Sequence, residues 1–278
     1  MRVMVLGAGG LLGRSLVASV PAAHQVTPLT RAEADIRDSA ALARTLREVR
    51  PDWVLNATAY TDVDGAERDR DLAFAVNADA VGELASFCKA LGAGLMHFST
   101  DYVFAGDKMD CYREDDAVAP VNAYGASKEA GERLVRDRAG RHVIIRTQWL
   151  FGSGGKSFLS TVKQRAASRQ PIRVVEDEYG CCTYVADLSA VAWSALGRLE
   201  GTFHVANRGR VSRCDVARRV YEAAEAGQLV TPVTSADIAV VAKRPSSSQL
   251  CVDKVEAALG RPMPHWTDAV DRYLAAVA

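Results

Sequence analysis

Arg2-Val3-Met4-Val5-Leu6-Gly7-Ala8-Gly9-Gly10-Leu11-Leu12-Gly13 decides how the first half of this chain folds. The apolar run Arg2–Leu6 reads as a buried strand, and Leu11–Val20 has the apolar spacing of a helix. Between them the glycines recur as GxxGxxG at Gly7, Gly10 and Gly13. The first permits a positive φ at the turn. The second lets backbone N–H groups approach a pyrophosphate, and the third lets the helix pack close to the strand. The helix N-terminus adds partial positive charge. A plain tight turn is the competing reading. A strand before the glycines and a helix after them is the context that favours a dinucleotide.

The same rhythm continues. Gln25–Leu29, Trp53–Ala57, Gly94–Ser99 and His142–Arg146 read as strands. Ser39–Val49, Ala78–Leu91 and Ala123–Arg138 read as helices, with Asp38 or Ser39 capping the first and Asn77 the second. Alternation of this kind predicts an α/β fold, a Rossmann-type doubly wound parallel sheet covered on both faces. After Trp149 the pattern changes. A glycine-rich loop, Phe151–Lys156, leads to helices near Ser157–Ser168, Asp187–Leu199, Arg213–Ala226 and Lys254–Leu259, and to a last one from Thr267. Gly201–Ala206 reads as a short strand. Residues 1–150 are thus expected to form the NAD(P)-binding domain. Residues 151–278 form a smaller substrate-binding part that threads back onto it.

Composition narrows the function. The 278 residues carry 34 Lys and Arg against 34 Asp and Glu, so no chain-wide basic footprint points to nucleic acid. Arg208, Arg210 and Arg213 read as a solvated face. No run approaches the roughly 18 apolar residues of a membrane span, and no signal segment leads the chain. Cys88, Cys111, Cys181, Cys182, Cys214 and Cys251 show neither a CxxC pair nor framework spacing. They read as free thiols in a reducing cytoplasm. The five histidines form no metal-binding motif, which argues against a tightly held catalytic metal.

The end of the second strand lacks the acidic residue that usually meets a ribose. Thr30-Arg31 stands there. Arg31 can pair with a 2′-phosphate, which would favour NADPH, or be solvated, so NADPH and NADH both stay open. Asp35-Ile36 can flank an adenine or begin a helix. Tyr124-Gly125-Ala126-Ser127-Lys128 places a phenol and an amine on one helix face. Hydride transfer to a carbonyl leaves an alkoxide that needs a proton. An ammonium at Lys128 lowers the phenol from its usual pKa of about 10. Tyr124 then serves as the acid, and Lys128 tunes it and holds the cofactor ribose. Thr100, at a strand end with Ser99 beside it, is placed to polarise the carbonyl. An exposed helix pair is the competing reading for Tyr124 and Lys128. Trp149, where the pattern changes, can stack on a sugar or base or be a core aromatic.

These motifs together resemble the extended short-chain dehydrogenases and, within them, the dTDP-4-dehydrorhamnose reductase family. The likeness runs through Asn56-Ala57-Thr58-Ala59-Tyr60-Thr61-Asp62-Val63-Asp64, Ser99-Thr100-Asp101-Tyr102-Val103-Phe104 and Tyr124–Lys128. It continues in Gly131-Glu132, Arg146-Thr147-Gln148-Trp149, Asp187-Leu188 and Arg244-Pro245 with Ser248 and Leu250. The resemblance implies Thr100, Tyr124 and Lys128 as the catalytic set. It implies Gly10, Leu11 and Leu12 at the phosphates, Asp35 and Ile36 at the adenine, and Ala57, Thr58, Ala59 and Tyr60 along the nicotinamide half. Val63, Thr100, Asp101 and Trp149 are implied as substrate contacts.

The implied activity is NAD(P)H-dependent reduction of the 4-keto group of a nucleotide-linked 6-deoxy sugar. Rivals are a sugar-nucleotide epimerase or dehydratase, and a non-catalytic subunit like the regulatory partner of methionine adenosyltransferase. Dehydratases carry a glutamate after the Thr-Asp pair, where this chain has Tyr102. Retention of Tyr124 and Lys128 weighs against the regulatory reading. Gly180-Cys181-Cys182-Thr183 lacks the proline that the family commonly has there. Some relatives form magnesium-linked dimers through an acidic cluster, and no such cluster is legible here. Magnesium and a homodimer therefore rest on the resemblance alone.

Overall fold

The computed structural model describes residues 1–276. Strands β1 (Arg2–Leu6), β2 (Gln25–Leu29), β3 (Trp53–Asn56), β4 (Gly94–Thr100), β5 (His142–Thr147) and β6 (Gly201–His204) form one sheet. Their order is β6-β5-β4-β3-β1-β2, and every neighbouring pair is parallel. The order reverses at β1, with β2 on one side and β3 on the other. The crevice outside the carboxyl ends of β1 and β3 is therefore the switch point where such sheets hold ligands. The expected α/β class is the observed one.

Alternate residues of each strand feed opposite faces. Val3, Val5, Leu55, Met96 and Ile145 pack toward the helices Leu11–Ala18 and Val185–Ala195. Met4, Leu6, Val54, Leu95 and Ile144 pack on the other face, against Leu42, Leu46, Leu84 and Val135. These side chains are almost wholly buried, and each contributes about 1.5–3 kcal/mol relative to exposure. Burial on both faces explains why the strands read as continuous apolar runs.

A third core holds the second part together: Phe151, Leu159, Val162, Tyr221, Val270 and Tyr273. Its ladders are short. Leu150–Phe151 pairs with Thr183–Tyr184, Tyr179–Gly180 with Val211–Ser212, and Ile172–Val175 with Val230–Val233. The Cys181-Cys182 pair, where the family proline is missing, is buried between two of these ladders. The returning strand β6 lies on β5 of the large sheet, so chain beyond residue 150 completes that sheet.

Three expectations are corrected. Asn77 does not cap a helix from outside. It lies within a wide helical turn, Ala75–Asp79, that runs into the helix Ala80–Leu91. Its carboxamide instead bridges the Tyr60 backbone, at 2.9 and 3.0 Å, and Ser127 Oγ, at 3.0 Å. Cys111 and Cys251 are not free thiols: they form a disulfide between segments 140 residues apart, with Cα atoms 5.1 Å apart. Cys88, Cys181, Cys182 and Cys214 remain free and buried. Arg213 is not part of a solvated face: it covers the Trp149 ring and lines the main cleft.

Candidate active site

A cleft of about 710 Å³ opens at the carboxyl ends of β1, β3, β4 and β5. Gly7, directly after β1, has φ 79°, and a Cβ there would strike the Ala57 carbonyl at 2.8 Å. Only glycine lets the ends of β1 and β3 approach this closely. At Gly13 a Cβ would enter the Gly7 carbonyl, so this glycine sets the packing of helix on turn and is not among the residues that line this cleft. Gly10 is open: a Cβ would meet only Gly7 O, at 3.4 Å. The helix Leu11–Ala18 begins at Gly10 without a side-chain cap. Its free N–H groups face the cleft that Gly10, Leu11 and Leu12 line, a setting that fits a pyrophosphate.

A second cleft of about 320 Å³ adjoins this glycine turn. It brings together Gly7, Gly10, Arg31, Asp35, Ile36, Ala57, Thr58, Ala59 and Tyr60. It also contains Arg37, which sequence reasoning passed over. Asp35 accepts from Arg37 at 2.7 Å and from Arg31 at 3.4 Å. Hydrogen bonds from Arg37, with both guanidinium charges behind them, hold its carboxyl well below the usual range. Asp35 does not start the helix Ser39–Val49. Asp38 does, accepting from Ala41 N–H at 2.9 Å. Ala57, Thr58 and Ala59 line both clefts, so the two are joined along the end of β3.

Tyr124 and Lys128 lie on the helix Ala123–Arg138 and line the main cleft with Thr100, Asp101, Val63 and Trp149. Asn122 caps this helix, accepting from Gly125 N–H at 2.8 Å, and Glu67 accepts from Ala123 N–H at 2.7 Å. Both fix the first turn that carries Tyr124. Burial raises the Tyr124 pKa, Thr100 pulls it back, and Asp101 and Tyr102 push the same way as burial. The phenol is held protonated at neutral pH. Its pKa is therefore raised rather than lowered as expected, and Lys128, one turn further along the helix, is engaged elsewhere. Its Nζ donates to Phe98 O at 2.7 Å and lies 3.2 Å from His97 Nε2. Burial lowers Lys128 to about 8.

Asp101 is buried and raised to about 6 by desolvation. It is bonded by Ser248 Oγ at 2.6 Å, Gln148 Nε2 at 3.1 Å and Thr100 Oγ1 at 3.0 Å. Trp149 adopts φ 46°, a strained value for a large side chain, and half-exposes its ring to the cleft. The Arg213 guanidinium sits 4.3 Å above that ring. Ser248 and Arg213 reach the site from far along the chain. No local spacing could have marked Arg213. Ser248 carried a family motif without a role. Among the described residues no group of three or more His, Cys, Asp or Glu is placed to hold a metal ion.

The whole chain, residues 1–278, matches the family described as the RmlD substrate binding domain. A dTDP-4-dehydrorhamnose reductase of Burkholderia thailandensis is 38% identical, over 97% of each chain. One from Mycobacterium tuberculosis is 40% identical, over all of this chain and 93% of its own. Among solved structures, the Bacillus anthracis dTDP-4-dehydrorhamnose reductase in complex with NADP superposes with TM-score 0.95 at 34% identity, covering 99% of both chains. A Clostridium acetobutylicum structure of the same description gives 0.96 at 31%, covering 100% of this chain and 99% of its own. The fold extends to a Thermus thermophilus UDP-glucose 4-epimerase, with TM-score 0.86 at 23% identity, covering 99% of this chain and 98% of that one.

Proposed function

We propose, since this chain belongs to the RmlD substrate binding domain family, that it is an NAD(P)H-dependent reductase of the 4-keto group in a dTDP-linked 6-deoxy sugar, dTDP-4-dehydro-L-rhamnose first among them. The observation that carries the reading is one continuous cleft. It joins the uncapped helix start at Gly10–Leu12 to a half-buried, protonated phenol at Tyr124. Bound there, a reduced nicotinamide cofactor supplies the hydride for the keto carbon.

The chain's own residues do the rest. Gly10, Leu11 and Leu12 take the pyrophosphate, with Gly7 and Gly13 shaping the turn. Arg31, Asp35 and Ile36 line the adenosine end, and Ala57, Thr58, Ala59 and Tyr60 form the wall toward the nicotinamide. Thr100 steers the substrate oxygen. Tyr124 gives it the proton, a step typically worth about 10²–10⁴-fold. Burial keeps that proton on the phenol until an alkoxide, a far stronger base, develops beside it. Lys128 holds the ribose side. Val63, Asp101 and Trp149 contact the sugar. Residues 1–150 supply the cofactor side and these sugar contacts, and residues 151–278 add Gly154, Gly155, Lys156 and Arg213 to the substrate side of the cleft. A cytoplasmic location, where the cofactor and nucleotide sugar it needs are found and where the Cys111–Cys251 pair would meet a reducing pool, completes the proposal. A homodimer is carried over from the family resemblance alone. Purified protein given dTDP-4-keto-6-deoxyglucose-derived 4-keto sugar and NADPH should consume the absorbance of the reduced cofactor. Unchanged absorbance with the 4-keto sugar present would refute the assignment.

A further inference from the structure

The reduction has no stated use for His97, a wholly buried titratable side chain on β4. Its two ring nitrogens meet Asn56 Nδ2 and Lys128 Nζ, each at 3.2 Å. The Asn56 amide has only one workable orientation. Its Oδ1 accepts from Thr58 N–H at 3.2 Å and from the Thr58 hydroxyl at 2.6 Å. Turned round, its NH₂ would face the Thr58 N–H, donor against donor. Asn56 therefore offers His97 a donor, and His97 Nδ1 must accept. That excludes the imidazolium and leaves one neutral tautomer, with the proton on Nε2. This Nε2–H faces Lys128 Nζ. A neutral amine can accept it while still donating to Phe98 O. An ammonium has three donors and no acceptor, so it cannot.

We propose that His97 is a positioning residue that makes Lys128 a two-state group. As a neutral amine Lys128 lodges between His97 Nε2–H and Phe98 O. Protonated, it is turned by His97 out into the cleft, toward Tyr124 and the cofactor ribose. The cleft that Lys128 lines gives the second state its space. The surrounding charges leave the choice to His97. Glu132, further along the same helix, favours the ammonium, but it is bound by Arg146 of β5 at 2.8 Å and by Arg136 at 3.1 Å. β4 supplies no other titratable group. Asp101 and Tyr102, from the turn after β4, act on Tyr124. Glu67 is engaged at the helix start, and Asp79 and Glu83, on the helical segments packed alongside, are exposed. The lowering of Lys128 to about 8 by burial puts the exchange within reach of neutral pH.

This inference rests on the reading of Lys128 as the cofactor-side amine, but its test needs neither cofactor nor substrate. Long-range ¹H–¹⁵N correlation spectra of the histidine rings are recorded on the ligand-free protein from pH 6 to 9. His97 is identified as the ring lost in His97→Gln. The expected result is a proton on Nε2 throughout, with one step in its shifts as Lys128 titrates. A proton on Nδ1, an imidazolium, or the absence of that step overturns the proposal. Asn56→Asp then offers His97 an acceptor in place of a donor. Its ring proton should move to Nδ1, freeing Nε2 to accept from the ammonium. The Lys128 step should then rise by at least about one pH unit, a tenfold gain in proton affinity. A proton that moves while the step stays in place also overturns it. If Asn56→Asp does not fold, the parent spectrum decides alone. A 4-keto sugar that is not reduced would sink the reductase reading and leave this result intact.

Discussion

Two helices begin on the same cleft and treat their first turns in opposite ways. The helix Leu11–Ala18 starts at Gly10 with no side-chain cap, and its N–H groups stay free. The helix Ala123–Arg138 has its first turn closed by Asn122 and Glu67. Every helix leaves its first N–H groups without intrahelical partners. Left open, they are an anion site. Sealed by side chains, they become a rigid mount. In the proposed mechanism the first arrangement suits the cofactor phosphates, and the second suits Tyr124, whose proton would be delivered within hydrogen-bond reach.

The contrast can be broken from either side. Tyr124→Phe keeps the mount and removes the proton. Turnover of the 4-keto sugar should fall by about 10²–10⁴-fold while NADPH affinity, followed by fluorescence titration, stays at the parent value. Gly10→Val obstructs the open turn. NADPH affinity should fall by about tenfold or more, and the thermal midpoint should move little, because a Cβ at that position meets only Gly7 O, at 3.4 Å. Parent-like affinity would take the phosphates away from Gly10. Asn122→Ala unseals the other helix and also loses the bond to Lys243 O at 2.8 Å. It should cost about 1 kcal/mol in urea unfolding and lower kcat more than it raises KM.

The smallest expected effect concerns Asp101, raised by burial from 3.8 to about 6. A folded-state pKa above the unfolded one means that the folded chain binds the proton more tightly. This contribution is complete below about pH 4 and is lost as pH rises through 6. Asp101→Asn should flatten that part of the stability profile. Urea midpoints at pH 4.5 and 7 that respond to the substitution equally would show that Asp101 titrates as an exposed carboxylate does.

The two halves of the chain were not equally legible. All six sheet strands were readable to within a residue or two: β1, β3, β4 and β5 are apolar runs covered on both faces, while the edge strands β2 and β6 are less buried and were read from their place in the alternation. The glycine turn was readable because sterics leave few substitutes at Gly7 and Gly13. The polar helices Val63–Arg68 and Arg70–Phe74 carry too few apolar residues to show a period, and Asp62 and Asp69 cap them. The two-residue ladders of the second part are set by packing rather than by pattern. Asn77 looked like a helix cap because local sequence does not reveal that Tyr60 and Ser127 converge on it. The pairing of Cys111 with Cys251, the arrival of Arg213 at the cleft and that of Ser248 on the Asp101 carboxylate depend on how distant segments meet. Within the site, residue types and motif order were legible, while protonation states were not. Lys128 read as an ammonium that lowers the Tyr124 pKa, whereas burial raises it, and the setting of Lys128 against His97 and Phe98 O emerges only in three dimensions.

The most direct test of the account follows the hydride itself. The protein is given the dTDP-linked 4-keto-6-deoxy sugar with nicotinamide cofactor deuterated at the transferring position, and the product sugar is analysed by NMR and mass spectrometry. The account predicts one deuterium bonded to C4, with one equivalent of reduced cofactor consumed per sugar. An isomerised or dehydrated sugar without deuterium, or the unchanged 4-keto sugar, would contradict it.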